Sequence, residues 1–283
     1  MKIVIICQKF YLLLRFMNNL KKILNKYSLK SFNNKKKVFD YFQCFDLHKL
    51  VNEEDKKKGI KPCGPDFNDL ARLHYLVLLR KPFNVLEFGS GYSSLVMSHA
   101  MNLLYETFYN FVKKNFSIDN PFKVYSVEED KYFQKVSSNR IKNPYRKRSV
   151  IFQSNIRLDL YNGKFATFYE SLPNILPDLI YVDGPAPLYC KNSIDGFSMN
   201  SNLRMPMSAD ILRFEFFLEP GALIVFDGRS ANAKFFKAQT QRCWKHLYDS
   251  IGDVHIFELN EKSLGPKNKK KLEFCIENNF LIK

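Results

Sequence analysis

The sequence predicts an α/β fold built on a mostly parallel sheet, and three observations carry that expectation. Short apolar runs alternate with longer amphipathic stretches from about residue 66 onward, the pattern of strands joined by crossover helices. The run Val85-Leu86-Glu87-Phe88 passes directly into Gly89-Ser90-Gly91, followed by serines that suit a helix start. Two later runs also end in acids, at Glu128 and at Asp183, where an open α/β sheet presents side chains to a ligand.

The elements follow in order. Lys61-Pro62-Cys63-Gly64-Pro65 is a turn-rich boundary, after which Asp66 or Asn68 caps a helix reaching about Leu79. Lys81-Pro82 stops that helix, and the first strand spans 84–88. A long helix from Ser93 to about Phe111 leaves the glycine loop. A second strand (123–127), a second helix (130–141) and a third strand (149–153) come next. The fourth strand is 178–182, preceded by Pro173 and Pro177 and closed by Gly184-Pro185. Residues 208–218 read as a helix and 222–226 as a fifth strand ending at Asp227-Gly228. A helix from Ala231 to about His246 then precedes two final strands, 254–259 and 271–276. One domain, 62–283, holds all of these elements, behind a basic, partly helical N-terminal extension, 1–61, with charge runs at 35–37, 53–55 and 56–58.

Composition limits the function classes. A chain of 283 residues with 46% hydrophobic and 15% aromatic side chains builds a full core, which excludes global disorder. The net charge of +16 has two readings: an anionic partner such as nucleic acid or lipid headgroups, or a lysine-rich coding bias on an ordinary solvated surface. Six scattered cysteines form no C-x-x-C pair and five dispersed histidines no H-x-x-x-H, so neither a metal site nor a disulfide framework is expected. A reducing, cytoplasmic compartment is the simplest assignment. Lys9 and Arg15 interrupt the apolar N-terminus before it reaches the roughly 20 residues of a membrane helix. Residues 10–27 have the pattern of a basic amphipathic helix, which either packs on the domain or lies on a membrane surface.

The chemistry concentrates at three strand ends. In Glu87–Ser94 the third glycine of a dinucleotide fingerprint is replaced by Ser94, and Glu87 would set negative charge beside a pyrophosphate. An acid there suits a ligand carrying an ammonium group, while amides at the helix start suit a carboxylate. Glu128 follows the second strand, where a carboxylate accepts from both hydroxyls of a ribose. Glu129 and Asp130 fall at the next helix start, where negative charge is favourable in any protein. Asp183 ends Asp178-Leu179-Ile180-Tyr181-Val182-Asp183-Gly184-Pro185 and is placed to act as a base or to orient a substrate. Asp227 is the second catalytic candidate. Arg229 either binds an anionic substrate or pairs with Asp227. Tyr189, Asn192, Asp195, Asn200, Asn202 and Arg204 lie in a polar loop that either reads a hydroxyl-bearing acceptor or is ordinary surface.

Taken together, these stretches resemble the class I S-adenosylmethionine (SAM)-dependent methyltransferases. They are most similar to a bacterial group reading L-E-F-G-S-G-x-S-T, S-V-E-x-D, D-L-I-F-V-D-G-P and L-x-P-G-G-x-I-I-x-D. The match covers roughly residues 65–235. The resemblance implies a Rossmann-like seven-stranded sheet, six strands parallel and the last antiparallel, with helices on both faces and SAM above the first two strands. It implies SAM contacts from Glu87, Gly89, Ser90, Gly91, Ser93, Glu128 and Asp183, with Asp183 and Asp227 as catalytic candidates. Gly228 stands where metal-dependent catechol-type enzymes carry Asn, with Asn232 a helical turn onward. Asp183-Gly184-Pro185-Ala186 departs from the D/N-P-P-Y of enzymes that methylate amino groups of DNA bases. The expected activity is methyl transfer to an O or N atom of a small molecule or glycan. The alternatives are an RNA methyltransferase and a non-catalytic, membrane-peripheral protein that keeps the cofactor fold. The oligomeric state is left open.

Overall fold

The computed structural model describes residues 18–51, 64–116, 118–277 and 279–282. Helix α1 (Lys35–Cys44) precedes α2 (Phe67–Arg80), whose N-terminus is capped by Asp66 through the amides of Asn68 at 2.8 Å and Asp69 at 3.2 Å. Then come β1 (Asn84–Phe88), α3 (Tyr92–Phe116), β2 (Lys123–Glu128), α4 (Lys131–Arg140) and β3 (Ser149–Gln153). A hairpin of β4 (Ile156–Tyr161) and β5 (Lys164–Tyr169) precedes β6 (Leu179–Val182) and the two-residue strands β7 (Ser193–Ile194) and β8 (Phe197–Ser198). The chain closes with α5 (Asp210–Phe214), β9 (Leu223–Asp227), α6 (Ser230–Gln239), β10 (Trp244–Asp249), β11 (Val254–Leu259) and α7 (Gly265–Ile276).

Seven strands form one sheet in the order β10-β11-β9-β6-β1-β2-β3. The pairs β3/β2, β2/β1, β1/β6 and β6/β9 are parallel. The last strand, β11, lies antiparallel between β9 and β10. This is the Rossmann-like α/β arrangement expected from the sequence, with six strands running one way and the last reversed.

Strand periodicity sorts the core onto two faces. Val85, Val124, Tyr181 and Val225 pack with Leu76, Met97 and Met101 of α2 and α3. Leu86, Phe88, Ile180, Val182, Ile224 and Phe226 face the other way, toward the β4–β5 hairpin, α5 and α6. A third cluster, with Phe32, Tyr41, Phe42 and Leu47, seats the segment before α2 against Leu70, Ala71, Tyr75 and Val96.

Four elements differ from the expectation. The β4–β5 hairpin lies in a stretch read without strands, although Asn162-Gly163, both at positive φ, is the tight-turn pair that joins such strands. The helix beginning near 231 stops at Gln239, and Trp244–Asp249 is a sheet-edge strand. Residues 271–276 belong to α7, because Asn268, Leu272, Cys275 and Ile276 recur at helical spacing and are buried together. The helix expected at 208–218 is α5 followed by a 3-10 turn, Glu215–Phe217. Of the basic N-terminal helix, residues 18–24 are helical; 1–17, the charge runs at 53–58 and the Lys61–Cys63 boundary lie outside the described residues. Among the described residues no helix is long and apolar enough to cross a membrane.

Candidate active-site cleft

A cleft of about 440 Å³ opens at the carboxyl ends of β1, β2, β6 and β9. Gly89, Ser90, Gly91 and Ser93 line it from the β1 loop, Glu128 and Glu129 from β2, Asp183 and Gly184 from β6, and Asp227 and Arg229 from β9. The three strand ends singled out in the sequence therefore meet in one concavity.

The floor is a contact between two loops. Gly89 has φ +99°, and a Cβ on Gly184 would lie 2.6 Å from Gly89 N and 2.8 Å from the Tyr169 hydroxyl. Glycine at 184 lets the β1 and β6 loops touch, which brings Asp183 beside Gly89. Two amides of the glycine loop are already engaged, Gly89 N–H with Val127 O at 2.8 Å and Gly91 N–H with Ser94 Oγ at 3.1 Å.

Glu87 is fully buried and is not part of the cleft wall. Strand alternation points it with Val85 toward α3. There its carboxylate accepts from the hydroxyls of Ser93, Ser94 (2.6 Å) and Ser126 (2.5 Å). Glu87 thereby ties strand, loop and helix together behind the cleft wall, where the sequence had placed it toward a ligand ammonium. Burial raises its pKa to about 7, against the pull of the three hydroxyls. The same pattern accounts for Ser93 and Ser94, which serve the acid beneath them.

Glu128 is only 5% exposed but faces the cleft. It accepts from Ser90 Oγ at 2.8 Å and from the Asp130 amide at 3.1 Å, and Ser90 is linked to Ser137 at 3.1 Å. Burial, helped by the neighbouring charge of Glu129, raises Glu128 to about 7. Asp130 caps α4, as a helix-start acid does. Glu129 does more than its sequence position suggested: it accepts from Tyr169 Oη at 2.8 Å and from the Ala186 amide at 2.7 Å, joining β2 to β5 and to the β6 loop.

Asp183 has a side chain 59% exposed at the cleft surface. Crowding by surrounding protein lifts its carboxyl to about 6, opposed by Arg229. Arg229 donates to the Pro185 carbonyl at 3.0 Å and to the Asp183 carbonyl, and lies 3.6 Å from the Asp183 carboxylate. It thus clasps the β6 loop, and its charge also reaches Asp227, whose carboxyl it draws downward against the effect of burial. Asp227 accepts from Tyr181 Oη at 2.6 Å, and burial pushes its pKa up. Asp66 and Asp69 complete that end of the cleft; Asp69 contacts the guanidinium of Arg72, which is 2% exposed. Burial, and then the charge of Asp227, raise Asp69 to about 7.

No protein-family model and no curated protein sequence matches the chain. Solved structures do. An O-methyltransferase from Bacillus cereus in complex with SAH is 14% identical, with 81% of this chain and 92% of that one covered and a TM-score of 0.39. A precorrin-6y C5,15-methyltransferase from Geobacter metallireducens is 11% identical, covering 75% and 98%, with a TM-score of 0.41. A tRNA (m1A58) methyltransferase from Aquifex aeolicus is 14% identical, covering 77% and 76%, with a TM-score of 0.36. The fold assignment rests on the strand order itself.

Of the polar side chains singled out in the loop after β6, Tyr189 alone lines the cleft, beside Ala186. Asn192 exchanges hydrogen bonds with the backbone of Leu158, both at 2.8 Å, and holds the loop to β4. Arg204 stacks 4.2 Å over Phe197, while Asp195 turns the β7–β8 hairpin at φ 49°. Asn200 and Asn202 are exposed away from the cleft wall. Asn232 is 1% exposed in α6, also outside the wall. Among the described residues no group of three His, Cys, Asp or Glu side chains is arranged to hold a metal ion. Residues that the sequence did not single out include Asp69, Tyr181 and Arg140, which enter the wall from α2, β6 and α4. Only their tertiary placement distinguishes them from ordinary helix and strand positions.

Proposed function

We propose that this chain is a SAM-dependent methyltransferase that transfers a methyl group to an O or N atom of a small-molecule or glycan acceptor. The observation that carries the reading is Glu128: a nearly buried carboxylate ending β2, in the same cleft as the glycine loop and Asp183. Such a carboxylate suits the paired hydroxyls of a ribose, since Ser90 and the Asp130 amide already orient its two oxygens. Bound SAM supplies a methyl group on a positively charged sulfur, already activated for in-line displacement. The protein's part is then alignment and handling of a proton. The six carboxylates of the cleft wall, against Arg140 and Arg229, suit a cofactor bearing both an ammonium and a sulfonium. Asp183, at the floor beside Gly89, would orient the acceptor or take its proton, and Asp227, steadied by Tyr181, is the second candidate.

The acid-rich wall disfavours the RNA alternative, because a phosphate backbone would meet carboxylates at the reaction centre. Isothermal titration with S-adenosylhomocysteine (SAH) tests the reading. Glu128→Ala, by deleting hydrogen bonds to a charged acceptor, is expected to weaken binding by roughly ten- to hundredfold. Unchanged affinity would remove Glu128 from the cofactor site.

A further inference from the structure

A second concavity adjoins the cleft. The cleft wall at Pro65 and Asp66 is shared with this apolar groove of about 570 Å³, lined by Val38, Phe39, Phe42 and Val51 and by Phe67 at the start of α2. Phe39 is 62% exposed, whereas Val38 and Phe42 belong to the cluster that seats α1 on α2, so the groove has fixed walls. On the cleft side of the shared wall stand Asp66, Asp69, Asp183 and Asp227. Lys35 and His48 also line the groove, while the cations on the cleft side are engaged: Arg72 with Asp69 and the Asn33 side chain, Arg229 with the Asp183 and Pro185 carbonyls and the Asp183 carboxylate at 3.6 Å, and Arg140 over the Tyr92 ring at 3.9 Å.

We propose that the groove docks the apolar body of the methyl acceptor, an arylalkyl- or alkylamine whose nitrogen lies among Asp66, Asp69, Asp183 and Asp227. The inference rests on the methyltransferase reading of the same cleft and names its acceptor class. Adjacency and charge together select the occupant. A groove alone would suit any neutral ring, and the acids alone any hydrated cation. One molecule that carries an apolar body and a cationic head a short chain apart matches both sides of the shared wall. A phosphorylated or carboxylated acceptor would set like charges side by side.

The chemistry balances. An ammonium has no lone pair for attack, so the acceptor first passes one proton to the carboxylate of Asp69 or Asp227. Asp69, raised to about 7 by burial, takes and releases a proton near neutrality. The freed nitrogen lone pair then forms the N–C bond as the methyl–sulfur bond breaks, and that electron pair stays on sulfur as a neutral thioether. The methylated nitrogen is positively charged again, and the aspartic acid returns its proton to water.

Calorimetric titration of the full chain saturated with SAH provides the test, with 4-phenylbutylamine, 4-phenylbutan-1-ol and ethylamine as probes. The phenylbutylamine is expected to bind at least about tenfold more tightly than either, since each of them lacks one half of the match. Phe39→Ser, a change at an exposed position, is expected to remove about tenfold of that affinity, with SAH affinity measured on the same variant as the control. Equal binding of the amine and the alcohol overturns the proposal. So does an absence of binding by all the probes while SAH still binds. A chain that fails to bind SAH overturns the methyltransferase reading itself, and is recognised separately because it precedes any acceptor titration.

Discussion

At the scale of single residues, the chain uses burial to hold carboxylates near neutrality. Glu87 is the clearest case, fully enclosed and satisfied by three serine hydroxyls. Its pKa of about 7 lies above the ordinary value, so the folded state binds the proton more tightly than the unfolded chain. The associated stability is fully present below about pH 4.5 and is lost as pH rises through about 7. Glu87→Gln keeps the shape without the ionisation. Thermal unfolding between pH 5 and 8 should therefore show a smaller fall in stability for the variant, by on the order of 2 kcal/mol. Parallel pH profiles for the two proteins would show that Glu87 does not titrate in that range. The sequence located this acid but could not show which way it faces. That follows from the register of β1, which turns Glu87 with Val85 under α3 while Glu128 on the next strand reaches the cleft.

At the scale of elements, close approach and polarised hydrogen bonding hold the loops of the site. The β1 and β6 loops touch only because residue 184 lacks a side chain. Gly184→Ala is expected to cost about 1–3 kcal/mol and to weaken SAH binding, because the Cβ must displace backbone. Chemical denaturation and titration on the same variant measure both effects, and an unchanged pair would contradict the geometry. A second arrangement supports the start of α6, beside Arg229. Lys237 Nζ lies 3.4 Å from His246 Nδ1, His246 Nε2 3.0 Å from His255 Nδ1, and His255 Nε2 2.7 Å from Ser230 Oγ. Ser230 in turn donates to Asp253 at 3.1 Å. An ammonium only donates and a carboxylate only accepts, so every link is oriented one way and both imidazoles carry their proton on Nε2. Burial holds both rings neutral. This orientation rules out His255 as a base toward Ser230, despite a spacing that suggests a nucleophile pair. Nitrogen-15 NMR at pH 7 should show the Nε2–H tautomer for both rings; an Nδ1–H signal from either would break the chain of donors.

At the scale of the whole molecule, charge is divided between surface and site. The chain carries +16 overall, yet six carboxylates and two guanidinium groups line the cleft. A basic exterior attracts polyanions without regard to sequence, and such binding falls steeply with salt. Duplex RNA is therefore expected to bind at low salt, to be released by about 0.2 M salt, and to leave SAH affinity unchanged. RNA that competed with SAH at physiological salt would favour the nucleic-acid reading.

The sequence alone was enough to read the alternating strands, the glycine loop and the three acid-bearing strand ends, because those signals are local. Periodicity, capping by Asp66 and turn chemistry act over a few residues. The last third was less legible: Leu272, Cys275 and Ile276 look like a strand until their helical spacing is set against Asn268, and the edge strand β10 carries little alternation. Only the tertiary structure decided which acids share the cleft. It turned Glu87 inward, gave Glu129 and Arg229 to the loops, and brought Asp69 from α2 to within the electrostatic reach of Asp227 on β9. Side-chain direction depends on register, and juxtaposition depends on strand order. Neither is written in the spacing of residues along a single segment.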